Sequence, residues 1–183
     1  ENWSVTGLSF SLNENEYIRD LSFAPGSSTT IFALTNNKIK KSTDSGNTWS
    51  NMITDPVNSD DYHFQTIIFD PNDSNKVVVS DVFGGIWYST DGGNNFVEHL
   101  ELFGNSENKL KLTTTANDND HFYGITAEIR DDNENITTQG KFKKFRFAFN
   151  DTTADLISST DITDFNSQHG YNQCIAVSPT DKN

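Results

Sequence analysis

The chain has 183 residues, of which 33% are hydrophobic and 12% aromatic, which is enough for one domain with its own core. Its net charge of −13 opposes binding to a polyanion, so we expect no nucleic-acid partner. No apolar run approaches the roughly 18 residues that a membrane-spanning helix needs, so we expect no membrane span.

The first four residues are typical of a processed chain from which a signal peptide has been removed. We therefore expect an exported protein, either secreted or held at the cell surface. Ser, Thr, Asn and Asp are abundant, which favours strands and tight turns over helices. The first predicted strand carries Trp3, Val5, Leu8 and Phe10.

Two four-stranded units follow. The first spans residues 17–54, with strands predicted at 18–23, 30–35, 38–42 and 49–53. Asn36-Asn37 separates two β-favouring runs and predicts a hairpin turn. The second unit spans residues 64–102, with strands predicted at 65–69, 76–80, 86–89 and 96–100.

The run Val77-Val78-Val79 in the second unit is apolar on both faces of its predicted strand. Such a strand is covered on both sides, so we expect the second unit to lie between two neighbouring sheets.

The third unit, over residues 109–157, is degenerate. Its first strand is predicted at 110–115, and two longer strands are predicted at 121–129 and 136–149. In the segment 141–146, Lys and Arg are interleaved with Phe, which could indicate RNA binding. We favour the other interpretation, a strand with Phe on one face and Lys or Arg on the other. A fourth unit is predicted to begin over residues 171–183, where Cys174 is expected to be a buried small side chain in a strand.

A four-stranded unit that recurs about every 46 residues is typical of a β-propeller. We therefore predict an all-β chain of four-stranded antiparallel blades; a small closed barrel or a sandwich is the alternative. A closed ring of six to eight blades needs roughly 280–370 residues at this period. The chain is accordingly expected to supply three to four blades of a larger ring, whose remainder comes from the same or another chain.

One turn occurs twice, with Asp44 and Asp91 lying 47 residues apart. Both copies resemble the Asp-box, or BNR repeat, Ser/Thr-x-Asp-x-Gly-x-Thr-Trp/Phe. The first copy matches at Ser42, Asp44, Gly46, Thr48 and Trp49. The second matches at Ser89, Asp91, Gly93 and Phe96, with Asn95 in place of Thr.

The resemblance implies a structural role for this turn. In Asp-box propellers it joins the third and fourth strands of a blade at the outer rim, away from the active face. Related families include sialidases, xyloglucan-cleaving glycosidases, sortilin-type receptors, photosystem assembly factors and exported bacterial proteins, the last being most similar in style. An Asp carboxylate can accept hydrogen bonds from its own turn, and Gly supplies positive φ. Trp49 or Phe96 is expected to bury between blades.

Function is therefore expected on the opposite face, in the loops at 36–37, 55–63, 81–85, 102–108, 131–135 and 158–170. Aromatic side chains near carboxylates and amides suit both carbohydrate stacking and a protein interface. The candidate binding residues are Asp81, Phe83, Tyr62, His63 and Phe103. We predict a non-catalytic module that binds a protein or a glycan, without a cofactor or metal.

The alternative is the catalytic propeller of a glycoside hydrolase. Residues 80–85 resemble the Thr-Asp-x-Gly-Gly turn of the xyloglucan-cleaving enzymes, with one extra residue. Asp81 would then be one of two catalytic carboxylates. We favour a structural role for Asp81, in which its carboxylate accepts hydrogen bonds from backbone amides of its own turn. A sialidase would need an arginine cluster and a Tyr–Glu pair, and the chain has only Arg19, Arg130 and Arg146.

Overall fold

The computed structural model describes residues 6–10, 16–54, 64–99, 108–116, 121–130, 133, 135–146, 156–162 and 174–178. All the regular secondary structure in these ranges is β-strand. The described part of the chain contains no helix long and apolar enough to cross a membrane.

The first two sheets each contain four antiparallel strands in chain order. The first consists of β1 (Asp20–Phe23), β2 (Ile31–Leu34), β3 (Lys38–Ser42) and β4 (Ser50–Thr54). The second consists of β5 (Phe64–Asp70), β6 (Asp73–Asp81), β7 (Ile86–Ser89) and β8 (Val97–His99). The eight strands predicted for these units are present, because each short β-favouring run pairs antiparallel with the run that precedes or follows it in its sheet.

The third sheet is less regular. Its order is β9 (Asn108–Thr114), β10 (His121–Ala127), β13 (Lys141–Arg146) and β14 (Leu156–Asp161), with a separate hairpin of β11 (Ile129–Arg130) and β12 (Ile136–Thr138). Each long strand predicted here is thus divided in two. The division accompanies a register shift between Ile125 and Ala127, and a Cβ on Gly140 would lie 2.8 Å from the Thr126 carbonyl oxygen.

The second sheet lies between the other two, as its valine run predicts. Val77 and Val79 pack with Phe32 and Leu34 of the first sheet, whereas Val78 packs with side chains of the third. All three valines are fully buried. Successive side chains of a strand point to opposite faces, so one strand contributes to two separate cores.

The first strands of the three sheets lie next to one another: β1 contacts β5, and β5 contacts β9. Two side chains join them. Asp20 Oδ2 accepts a hydrogen bond from the Ile67 amide at 3.0 Å, and Lys111 Nζ donates to the Gln65 carbonyl oxygen at 3.0 Å. The sheets therefore converge on their first strands.

Three predictions about local structure are wrong. Residues 158–161 lie in β14 rather than in a loop. They pair with β13, and their polar sequence gives no sign of this pairing. Cys174 is exposed, and residues 174–178 form no strand. Leu8 and Phe10 also lie outside any strand; Trp3 and Val5 fall outside the described residues.

The basic segment 141–146 does form a strand, but its two faces differ from those predicted. Phe145 is fully buried, while Phe142 is 38% exposed. Since the two rings are three positions apart, the two-residue period of a strand places them on opposite faces. Lys143 therefore shares the inward face with Phe145 and is buried.

Candidate functional site

The sheets have two distinct ends. The loop end carries the β2–β3 connection, residues 35–37, and the β6–β7 turn, residues 81–85. The opposite end, here the turn end, carries residues 42–49 between β3 and β4 and residues 89–96 between β7 and β8. The two repeated turns thus join third and fourth strands, as expected, at the far end of β3 and β7 from the loops proposed for binding.

The first repeated turn is closed by its own side chains. Asp44 Oδ1 accepts hydrogen bonds from the Ser42 hydroxyl and the Thr48 amide, both at 2.8 Å, and Oδ2 accepts one from the Thr48 hydroxyl at 2.6 Å. The Ser42 hydroxyl also accepts the Gly46 amide at 2.9 Å. Gly46 has a φ of 88°, in the left-handed region that glycine tolerates best.

The second turn repeats this network despite its sequence change. Asp91 Oδ1 accepts from the Ser89 hydroxyl at 2.8 Å and the Asn95 amide at 2.9 Å. The Asn95 side-chain amide donates to Oδ2 at 2.6 Å, where the first turn uses a threonine hydroxyl. Gly93 has a φ of 74° and its amide donates to Ser89 Oγ at 2.9 Å. Asn is therefore a working replacement for Thr at this position.

The aromatic residues that end the two turns are half-buried rather than fully buried. The Trp49 indole N–H donates to the Gly46 carbonyl oxygen at 3.0 Å, and this bond holds the ring across its own turn. Phe96 packs against the core between the first and second sheets.

We expect both turn carboxyls to titrate far below the ordinary range. Hydrogen bonds from Thr48 and Ser42 lower the pKa of Asp44 from 3.8 to about 2, and bonds from Asn95 and Ser89 lower the pKa of Asp91 to about 2 as well. Because the folded pKa lies below the unfolded one, this stabilisation is present above pH 4 and is lost as the pH falls towards 2. Carboxyl ¹³C NMR titration should give midpoints near pH 2; midpoints near 3.8 would contradict the networks.

At the loop end, Asp81 is 2% exposed and its carboxylate closes the β6–β7 turn. Oδ1 accepts hydrogen bonds from the Phe83 and Gly85 amides, both at 2.8 Å, and Oδ2 accepts the Trp87 indole N–H at 3.4 Å. Burial raises the pKa of Asp81, and the amides of Gly85 and Phe83 partly offset this effect. The same NMR titration should therefore place Asp81 above 3.8, on the opposite side from Asp44 and Asp91.

Phe83 lies at the tip of this turn and is 51% exposed. The turn also contacts the next sheet, because the Val82 carbonyl oxygen accepts the Lys109 amide at 2.7 Å. The β2–β3 connection of the first sheet contacts the second sheet in the same way, since the Asn36 carbonyl oxygen accepts a hydrogen bond from the Phe64 amide at 3.3 Å. Phe83 is thus presented on a turn anchored at both its base and its side.

Of the five candidate binding residues, the structure brings Asp81 and Phe83 together in one turn. Tyr62, His63 and Phe103 lie outside the described residues, as do most residues of the loops at 55–63 and 102–108.

Sequence reasoning did not single out a cationic group beside this turn. Arg19 precedes β1, and Lys109 and Lys111 lie on β9, so 90 residues separate Arg19 from Lys109. Burial lowers the pKa of both lysines, and the charge of Arg19 lowers it further. No sequence pattern links the three; only the neighbouring first strands bring them together.

No model of a known protein family matches the chain, and no curated protein is similar to it in sequence. Solved structures do match. An ancestral GH74 enzyme superposes with a TM-score of 0.61 at 20% identity, covering 82% of this chain and 20% of that chain. The GH74 xyloglucanase from Xanthomonas campestris gives a TM-score of 0.52 at 14% identity, with 75% and 22% covered.

YCF48 from Cyanidioschyzon merolae gives a TM-score of 0.51 at 14% identity, covering 90% of this chain and 46% of that chain. The chain therefore spans between one fifth and just under half of the length of these structures. At such identities the likeness concerns the fold. Together with the three four-stranded antiparallel sheets, these neighbours show that the chain has the all-β fold of a β-propeller.

Proposed function

We propose that this chain is an exported Asp-box propeller segment that binds a protein or glycan partner at its loop end without catalysing a reaction. The observation that carries the proposal is the β6–β7 turn. Its buried carboxylate is committed to three donors, and its exposed aromatic side chain is left to meet a ligand. Exposed aromatic rings on rigid supports are frequent anchors of binding interfaces.

The Asp-box part of the proposal is supported by the two closed networks at the turn end. In both, the Asp carboxylate is saturated by Ser and by Thr or Asn of its own turn. A carboxylate whose oxygens are occupied in this way stabilises a hairpin and is a poor candidate for a catalytic group. We therefore assign the turn end a structural role and the loop end the role of binding the partner.

The test compares wild-type protein with Phe83→Ala on a glycan array that includes plant β-glucans and on an array of random peptides. The matched control is Phe142→Ala, which removes another partly exposed ring on a different sheet. We expect binding to weaken at least tenfold in Phe83→Ala, about 1.4 kcal/mol, and to persist in the control. No binding on either array, or equal weakening in both variants, would contradict the proposal.

The alternative function is a xyloglucanase-like glycoside hydrolase in which Asp81 is one of two catalytic carboxylates. Two observations favour considering it: the GH74 structures share the fold, and burial raises the pKa of Asp81, as a general acid requires. Against it, Asp81 is 2% exposed and its oxygens already accept three hydrogen bonds.

A xyloglucan digest distinguishes the two functions. The protein is incubated with xyloglucan, and new reducing ends are counted for wild type and for Asp81→Asn. The binding proposal expects no release by either protein. Release by wild type that disappears in Asp81→Asn, with the variant still folded by circular dichroism, would replace the binding proposal with the hydrolase.

A further inference from the structure

The two contacts between the three sheets are built in the same way. In each contact, the face that one sheet turns towards the next sheet along the chain, here the leading face, packs on the opposite, trailing face of that next sheet. The leading faces are formed by Phe32, Leu34 and Ile39 in the first sheet and by Ile68, Val78 and Ile86 in the second. A sheet of this chain is therefore complete only when both of its faces are covered.

The trailing face of the first sheet is open at its first strand. The β1–β2 register places Leu21 and Phe23 on the face opposite to Phe32, and they are 49% and 53% exposed. The residues 46 positions later, Ile67 and Phe69, lie on the trailing face of the second sheet and are 4% and 6% exposed, because the first sheet packs on them. Adjacent large apolar side chains left at a surface are typical of an interface.

The leading face of the third sheet is open as well. Phe142 lies at the start of the third strand of its sheet, where the other two sheets have Ile39 and Ile86. Those two isoleucines are fully buried, whereas Phe142 is 38% exposed. The β10–β13 register places Tyr123 and Phe142 on the face opposite to Phe145, and their stacked rings lie 5.9 Å apart. This face therefore presents a preformed pair of aromatic rings.

We propose that the leading face of the third sheet packs on the trailing face of the first sheet in a second copy of this chain. Phe142 and Tyr123 of one copy then cover Leu21 and Phe23 of the other. A second copy is the occupant that the fold supplies, since each copy has one open face of each kind and the two kinds already pack on one another twice within the chain. Two apolar faces also lose exposed surface together.

The contact is heterologous, because two different faces meet in it. Such a contact forms a closed ring when the rotation between copies allows it and a filament when it does not. Two copies of three sheets bring six sheets together, within the range of about four to eight found in closed propellers. The arrangement can therefore close as a dimer.

Analytical ultracentrifugation of the full chain over about 5–200 µM, a range that covers weak to moderate affinities, tests the proposal. We expect wild type to rise from 20.5 kDa to twice that mass. Phe23→Glu and Phe142→Glu each place a charge in one of the two faces, so each variant alone should associate at least tenfold more weakly. Val97→Glu is the matched control, because Val97 is also half exposed but lies on the outer strand of the second sheet, and it should associate like wild type.

A mixture of the two variants distinguishes the proposed contact from other ways of pairing. Phe23→Glu keeps its leading face and Phe142→Glu keeps its trailing face, so an equimolar mixture should regain one intact contact and form a heterodimer. Pairing of two trailing faces would instead leave Phe142→Glu dimeric alone, and this result would overturn the proposal.

An NMR dilution series of wild type does not depend on how well the variants fold. The methyl signals of Leu21 and the ring signals of Phe23 and Phe142 should move with concentration, whereas the methyl signals of Val97 should not. A wild type that keeps the mass of one chain at every concentration, or Leu21 and Phe142 signals that do not move, would overturn the proposal. Either result leaves the proposed binding function standing, since that function rests on Phe83.

Discussion

Replacing Asp81 with alanine should lower the free energy of unfolding by about 3 kcal/mol. The substitution removes the acceptor of the partly buried Phe83 and Gly85 amides and of the buried Trp87 indole N–H, and each lost bond costs about 1 kcal/mol. The value is large for one residue, because the carboxylate is the only side chain in the turn that meets all three donors among the described residues. Urea unfolding followed by tryptophan fluorescence measures the change.

Asp81→Asn is the matched control. Its carbonyl oxygen can still accept the Phe83 and Gly85 amides, and the variant no longer buries a charge, so the loss should be about 1 kcal/mol or less. A loss below about 0.5 kcal/mol in the alanine variant would show that the turn does not depend on this carboxylate. Asp81 would then be free for the chemistry of the alternative function.

Replacing Gly93 with alanine should cost about 3 kcal/mol, whereas the same change at Gly92 should cost about 1 kcal/mol. Both glycines have positive φ, 74° and 70°, so both substitutions carry the same backbone penalty. They differ in space: a Cβ on Gly93 would lie 2.5 Å from the ring of Phe32, while the nearest atom to a Cβ on Gly92 is 3.7 Å away.

Phe32 is fully buried in the core between the first and second sheets, so its ring has little room to move. The additional cost at Gly93 therefore measures how tightly the second repeated turn packs on the neighbouring sheet. Thermal and urea unfolding of the two variants side by side provide the comparison. Equal losses would mean that the turn is only a local hairpin and takes no part in joining the sheets.

Much of the fold could be predicted from short-range patterns. The Ser-x-Asp turns mark the end of a third strand, since their hydrogen bonds stay within a few residues, and Val77-Val78-Val79 identifies a strand covered on both faces. The same reasoning fails for β14, whose Ser-Ser-Thr sequence carries no apolar alternation and which pairs with β13 through contacts that the sequence does not display.

The features of the candidate site also separate into those that depend on local sequence and those that depend on long-range packing. The sequence by itself determined the four-stranded repeat, the two closed turns and the position of the 81–85 turn at the other end of the sheet, because each depends on residues close together in the chain. Only the tertiary structure decided that Asp81 is buried while Phe83 is exposed, and that burial and the charge of Arg19 lower the pKa of Lys109 and Lys111. Those arrangements depend on how whole sheets pack on one another, and packing joins residues that no local pattern connects.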